Sequence, residues 1–329
     1  MNLRFRISCI ALGTLASLLV AAPAVANDPA FPSRPVRWVI PFPAGGATDV
    51  IARLVGQRLS EKWGQPVVIE NRAGAAGTVG SDFVAKATPD GYTILMGTTS
   101  SHAVGPATGF VKMPYDNIRD FSPVTLVATY PNVLVVPPSG AKNIAELIRD
   151  LKLKTGKPSF GSSGSGSSTH LTGEMFKQRT AAETAVHVPY KGTAPLLTDV
   201  SAGHVTFAFD QMSAVLPLVE AGKLRALGVT GRARNEALPD VPTVAETLPG
   251  FEADAWIGIF APAKTPTAVV DKINADVKRV LEEPEVRKRL KDLGATGGGN
   301  QPAEFAAFVR ADTEKWRQLV KTANIKADN

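Results

Sequence analysis

Apolar residues along this chain alternate between two rhythms. "VRWVI" (36–40) is a short, β-branched apolar run and predicts a buried strand. "DVIARLVGQRLSEKW" (49–63) then places Val50, Ile51, Leu54, Val55 and Leu59 on one helical face, and Gly64 and Pro66 stop that helix. "PVVIEN" (66–71) predicts a second strand, "GTVGSDFVAKATP" (77–89) a second helix and "YTILMGT" (92–98) a third strand. The rhythm returns with strands at 132–138, 158–163, 185–190, 205–210 and 224–230, separated by helices at 143–152, 168–180, 193–203 and 212–222. After "DAWIGIFAP" (254–262) come two long helical patterns, 267–294 and 302–325. Alternating strands and helices predict an α/β fold of two similar blocks with parallel strands, then a helical tail.

Between the first strand and the first helix lies "PFPAGGATDVIAR" (41–53). A strand, a glycine loop and a helix mouth together make an anion site: the first helical N–H groups lack internal partners, and the helix dipole adds partial positive charge. Gly45 and Gly46 keep side chains out of a ligand's way. Thr48 is a candidate N-cap, and Ile51 three residues on excludes a full capping box. Taken alone, the loop fits an ordinary tight turn with positive φ equally well.

Four other loops share its position after a predicted strand. "GTTSSH" (97–102) offers Thr98, Thr99 and Ser100. "GSSGSGSSTH" (161–170) offers Ser162, Ser163, Ser167 and Thr169. It has the composition of a flexible linker, but it runs from a strand into a helical pattern and is read as a loop at a helix mouth. "PYKGTAP" (189–195) supplies Tyr190, Lys191 and the Gly192 backbone, and "FAFDQMS" (207–213) ends a strand at Asp210. Open α/β sheets bind ligands at the carboxyl ends of their strands. Five such loops, divided between two blocks, predict a cleft for a small polar anion. Lys191 is either a solvated lysine or a ligand contact. Asp210 either caps the next helix or receives a ligand ammonium or hydroxyl.

Other chemistry fails on spacing. A nucleophile elbow needs G-x-S-x-G, but Gly161 and Ser163 are followed by Ser165. Gly156-Lys157 and Gly222-Lys223 continue with Pro158 and Leu224, so neither is a P-loop. A dinucleotide fingerprint starting at Gly164 meets Thr169 where it needs glycine. The four histidines, His102, His170, His187 and His204, form no close pair, and no metal site or cofactor is expected. His102 and His170 read as hydrogen-bonding or cap-side residues.

The chain starts with "MNLRFRISCIALGTLASLLVAAPAVA". Its basic start, short apolar core and Ala24-Val25-Ala26 predict a signal peptide over 1–26, cleaved before Asn27, and hence a periplasmic protein. The apolar run is too short for a membrane span. Cys9, the only cysteine, lies too early for lipid attachment and would leave with the signal. The net charge of +6 falls to about +4 once Arg4 and Arg6 are removed. No block of like charge suggests nucleic acid, and a soluble, monomeric mature protein is expected.

"PFPAGGATDVIARLVGQRLSEKWGQPVVIENRAGAAGTVG", "TPDGYTILMGT", "VPYKGTAPLLTDVSAGHV", "GKLRALGVTGRARNEALPDVPTVAE", the W-x-G-x-x-x-P of Trp256, Gly258 and Pro262, and "PAEFAAFVRADTEKW" occur in that order. This set resembles the receptors of tripartite tricarboxylate transporters, the Bug solute-binding proteins, over essentially the whole mature chain. The resemblance implies a type II periplasmic binding-protein fold: two α/β lobes, a ligand cleft and two hinge crossovers. Lobe one would be 27–129 plus 253–329, and lobe two 130–252. It implies a carboxylate held near Phe42, Ala44, Gly45, Gly46, Thr48 and Asp49 by main-chain amides and waters. The second lobe would add Ser162–Thr169, Tyr190–Gly192 and Asp210. The partners implied are a small carboxylate and membrane permease subunits. A sensor feeding a signalling partner is the alternative, and a secreted hydrolase a more distant one.

Overall fold

The computed structural model describes residues 31–110, 112–153, 157–322 and 325. The expected signal segment and Cys9 lie outside the described residues. The first part of the chain runs β1 (Val36–Ile40), α1 (Ala47–Trp63), β2 (Val67–Asn71), α2 (Thr78–Ala85), β3 (Thr93–Thr98), the short α3 (Gly105–Thr108) and β4 (Phe121–Tyr130). The middle runs β5 (Asn132–Val136), α4 (Ile144–Lys152), β6 (Ser159–Ser162), α5 (Ser168–Thr180), β7 (Val186–Pro189), α6 (Thr193–Ser201), β8 (Phe207–Gln211), α7 (Met212–Glu220), β9 (Arg225–Val229) and the single-turn α8 (Val244–Thr247). The last part runs β10 (Ala255–Pro262), α9 (Thr267–Glu282), α10 (Pro284–Asp292), β11 (Thr296–Gly297) and α11 (Pro302–Thr322).

The strands form two sheets, one ordered β11-β4-β10-β3-β1-β2 and the other β7-β6-β8-β5-β9. Each sheet carries helices, as the α/β pattern predicts. The expectation of parallel strands holds only within β2-β1-β3 and β7-β6-β8. β10 is antiparallel to both β3 and β4, and β5 is antiparallel to both β8 and β9. The reason lies in how the chain changes sheets. Only Pro131 separates β4 from β5, so a strand that ends at the edge facing the other sheet continues away from that edge. Strands of βα units end at that edge, so an entering strand must oppose them. β10 enters the first sheet the same way.

β4 has no counterpart in the sequence reading. Pro123 and two threonines interrupt its apolar alternation. The helix expected over 267–294 is broken in two. Glu283, directly before Pro284, has ψ 132°, because the proline ring disfavours helical backbone at the preceding residue.

One buried cluster fills the first sheet's α1 and α9 face, with Trp38, Ile51, Val55, Ile257 and Ile273. A second lies under α6 and α7, with Val133, Leu196, Val200 and Val215. The third continues from one sheet to the other and includes Phe160, Phe176, Phe209, Trp256 and Phe260.

Candidate functional site

The carboxyl edges of β1, β3, β6, β7 and β8 converge on a cavity of about 850 Å³. Of the residues selected from sequence, Phe42, Ala44, Gly45, Gly46, Thr48, Thr98, Thr99, Ser100, Ser163, Lys191 and Gly192 line it. Asp49, Ser162, Ser167, Thr169, Tyr190 and Asp210 do not reach it and stand behind those that do.

The glycine loop is held from behind. Asp49 Oδ2 accepts from Gly45 N–H and Arg53 Nε, each at 2.9 Å, and Asp49 Oδ1 accepts from Asn71 Nδ2 at 2.9 Å. Asn71 also donates to Phe42 O at 3.1 Å. Burial pushes against ionisation of Asp49, yet the hydrogen bonds from Arg53, Gly45 and Asn71 and the nearby guanidinium hold its carboxyl below the usual range. Gly45 has φ +85°, a backbone that favours glycine, whereas Gly46 is extended at φ −76°, ψ 167°. The Gly45 amide is therefore committed to Asp49. Gly46, Ala47 and Thr48 line the cavity, and the N–H groups at the start of a helix have no partner within it. Thr48 is not the N-cap. Gly46 holds that position, and Thr48 lies inside the first turn, 5% exposed, on the cavity wall.

The second wall begins where β3 ends. Thr99 Oγ1 accepts from the Trp256 amide at 2.7 Å, and Ser100 opens a π-helical turn, Ser100–Val104. Such turns recur at functional sites. His102 points away from the cavity. Its ring stacks on Phe260 at 4.1 Å and meets Phe121 edge-on at 4.7 Å, and burial pushes its pKa down to about 3.

The serine run forms a loop at the mouth of α5, as expected. Ser167 Oγ caps the helix by accepting from His170 N–H at 3.2 Å. Thr169 Oγ1 accepts from Ser163 N–H at 3.0 Å and lies 3.0 Å from Ser167 Oγ. Ser162 Oγ lies 2.7 Å from His187 Nε2. Three of the predicted hydroxyls are thus spent on shaping the loop, leaving Ser163 and the unpredicted Ser168 on the cavity.

Tyr190 does not line the cavity and packs, half-buried, against the core under α6 and α7. Its hydroxyl donates to Asp199 at 2.7 Å, and burial and that carboxylate push its pKa up to about 12. Asp210 is fully buried; its Oδ1 accepts from Gln211 N–H at 2.7 Å and from Thr193 Oγ1 at 3.1 Å. Burial pushes its pKa up to about 7, and its Oδ2 has no hydrogen-bond partner among the described residues. Thr193 and Gln211 line the cavity in its place.

The sequence reading also missed Tyr130, Ser213 and Trp256 on the cavity wall. Ser168 and Thr193 carried a usable signal, a hydroxyl at a helix mouth. Tyr130 carried none, because it ends the unrecognised β4. Among lining residues there is no Asp or Glu, while Lys191 and Lys223 are both present. No group of three or more His, Cys, Asp or Glu able to hold a metal occurs among the described residues.

The family model described as "Tripartite tricarboxylate transporter family receptor" matches residues 51–325. The BugT protein of Bordetella pertussis is 34% identical over 314 residues, covering 95% of this chain and 95% of its own. The solved structure of R. palustris Rpa4515 with adipate is 39% identical with TM-score 0.86, covering 90% of this chain and 99% of that one. MatC from Rhodopseudomonas palustris with bound malate is 35% identical with TM-score 0.82, covering 88% and 100%. With its two sheets, the cleft between them and a family match across most of its length, this chain belongs to the tripartite tricarboxylate transporter receptor family, the Bug solute-binding proteins.

Proposed function

We propose that this protein captures a small carboxylate in the periplasm and presents it to the membrane subunits of a tripartite tricarboxylate-type transporter, without catalysing a reaction. The observation that carries the reading is the cavity wall. It combines a helix mouth, hydroxyls and two lysines with no carboxylate, an environment that favours an anion. Relatives solved with adipate and with malate support the same class. In this reading residues 27–129 with 253–329 form one lobe and 130–252 the other, and the Pro131 and 230–254 crossings act as the hinge. Ligand binding favours the closed arrangement. Residues 1–26 direct export and are then cleaved, so the intact mass of the secreted protein is that of a chain starting at Asn27.

The test is direct. Freshly purified protein is denatured, the released small molecules are identified by mass spectrometry, and the refolded, stripped protein is titrated with the acid found. A carboxylate that rebinds supports the reading. Stripped protein that binds no carboxylate, or turns one over, overturns it.

A further inference from the structure

The cavity is larger than a four-carbon acid needs. About 850 Å³ lies toward the upper end of the range for drug-sized ligands. The extra space has a direction. Besides the glycine loop, the same cavity is lined by Leu197 and Ser201 on α6 and by Ala214, Pro217 and Leu218 on α7. These recur at helical spacing, so one face of each helix borders the space. Both helices start at the carboxyl edge of their sheet, beside the glycine loop, and run away from it. Gln211 to Leu218 spans roughly 10 Å of helix at ~1.5 Å per residue. At the outer end the chain turns at Gly222, φ +67°, and Lys223 N–H donates to Leu218 O at 2.8 Å. That bond holds the Lys223 backbone at the outer end of the trough, and Lys223 is among the residues lining the cavity. Neither Lys223 nor Lys191 has an ion-pair partner among the described residues.

The arrangement is anion-binding at its inner end and cationic at its outer end; between them Leu197, Ala214, Pro217 and Leu218 present apolar surface, and the Thr198 and Ser201 hydroxyls donate back to Ala194 O and Leu197 O of their own helix. It has no acidic group for an ammonium, because Asp210 is sequestered behind Thr193 and Gln211. We infer that the ligand is an unbranched α,ω-dicarboxylate longer than succinate, its methylene chain lying between α6 and α7 and its distal carboxylate meeting Lys223. This rests on the carboxylate-receptor reading and names the ligand class within it. An amino acid would leave its ammonium unpaired against two lysines, and a four-carbon diacid would leave the apolar wall wet.

The test is calorimetric titration of the stripped mature protein with succinate, adipate, suberate and octanoate. Burying a methylene is worth a factor of about three to four in affinity, so suberate is expected to bind about tenfold tighter than adipate, and succinate weakest. Lys223→Gln should weaken suberate about tenfold and succinate and octanoate much less, since only suberate carries a second carboxylate long enough to reach it. Ala214→Phe should fill the trough and remove the advantage of suberate over succinate, with circular dichroism confirming the fold. If succinate binds as tightly as suberate, or Lys223→Gln weakens both equally, the trough assignment is overturned while the receptor reading stands. If none of the four acids binds and the released ligand is no carboxylate, the receptor reading fails, and this inference with it.

Discussion

Ser100 and Ser168 join the two halves of the molecule across the cleft. The Ser168 amide, the first in α5, donates to Ser100 Oγ at 3.1 Å, and Ser100 Oγ in turn lies 3.3 Å from Ser168 Oγ. Ser100 begins the π-helical turn after β3, and Ser168 ends the serine loop, so one hydroxyl bridges two sheets. On the other side of the cleft, Asn235 Nδ2 donates to Gly294 O at 3.1 Å and Lys291 pairs with Glu236. In the proposed two-lobe reading, these contacts belong to a closed arrangement. A neutral hydrogen bond contributes about 0.5–1.5 kcal/mol net, enough to shift an open–closed balance severalfold.

Ser100→Ala removes that bridge and leaves the Ser168 amide without its acceptor. Ligand dissociation constants measured by calorimetry should rise about threefold to tenfold. Small-angle scattering of the stripped variant should give a larger radius of gyration than the stripped wild type. Unchanged affinity and scattering would show that the bond follows closure without favouring it.

The two glycines of the loop should respond differently. Gly45 has φ +85° with open space where a Cβ would sit, so Gly45→Ala meets no clash but a strained backbone. A left-handed non-glycine residue costs about 1–2 kcal/mol, which in a chain of this size lowers the melting temperature by a few degrees. A Cβ on the extended Gly46 meets only Pro43 O, at 3.8 Å, so Gly46→Ala should melt like the wild type. Gly46 lines the cavity, and Gly46→Val should weaken the ligand-induced thermal shift while the protein still folds. Equal melting losses for Gly45→Ala and Gly46→Ala would contradict this division.

Much of this site was legible because backbone and composition act locally. "PFPAGG" and "GSSGSGSS" could be placed at helix mouths from the strand before and the helical pattern after. Which hydroxyl lines the cavity was not legible. Ser162, Ser167 and Thr169 differ from Ser163 and Ser168 only through partners such as His187 and the α5 cap, and those partners come from folding. Asp49 enters the site only through the family resemblance, which implies a carboxylate near it. It turns back to Gly45, Arg53 and Asn71, and Asn71 is contributed by the neighbouring strand β2. The antiparallel β5 and β10 were hidden for a similar reason, since strand direction depends on which sheet the chain enters.

Asp49 should behave as a positioning residue. Asp49→Ala leaves Gly45 N–H, Arg53 and Asn71 without their shared acceptor, costing about 1–3 kcal/mol in urea unfolding and weakening ligand binding without removing a cavity contact. Asp49→Asn keeps one acceptor and should fall between. The carboxyl titrates below its ordinary value in the folded state, so its contribution is complete at neutral pH and fades as pH falls through that folded value. Wild type and Asp49→Asn should therefore converge in acid. A constant gap from neutral pH into acid would place the effect in packing.

Asp210 gives the opposite pH dependence. Its carboxyl is fully buried, accepts from Gln211 and Thr193 through Oδ1, and is pushed up to about 7. An acid whose folded pKa lies above its unfolded value binds its proton more tightly when folded, so it stabilises the fold at low pH. That stabilisation is complete below the unfolded value of about 4 and is lost as pH rises through about 7. Asp210→Asn keeps an acceptor toward Gln211 and Thr193 but cannot ionise. Urea midpoints of the wild type should therefore fall relative to those of Asp210→Asn between pH 4 and pH 7, then run parallel at higher pH. The same titration should appear in binding, because Thr193 and Gln211 stand between Asp210 and the cavity. Ionisation adds a negative charge behind the anion's seat, so wild-type affinity should weaken from pH 5.5 to pH 8 more than that of Asp210→Asn. Stability and affinity curves that stay parallel between the two proteins throughout would mean that Asp210 does not titrate in this range.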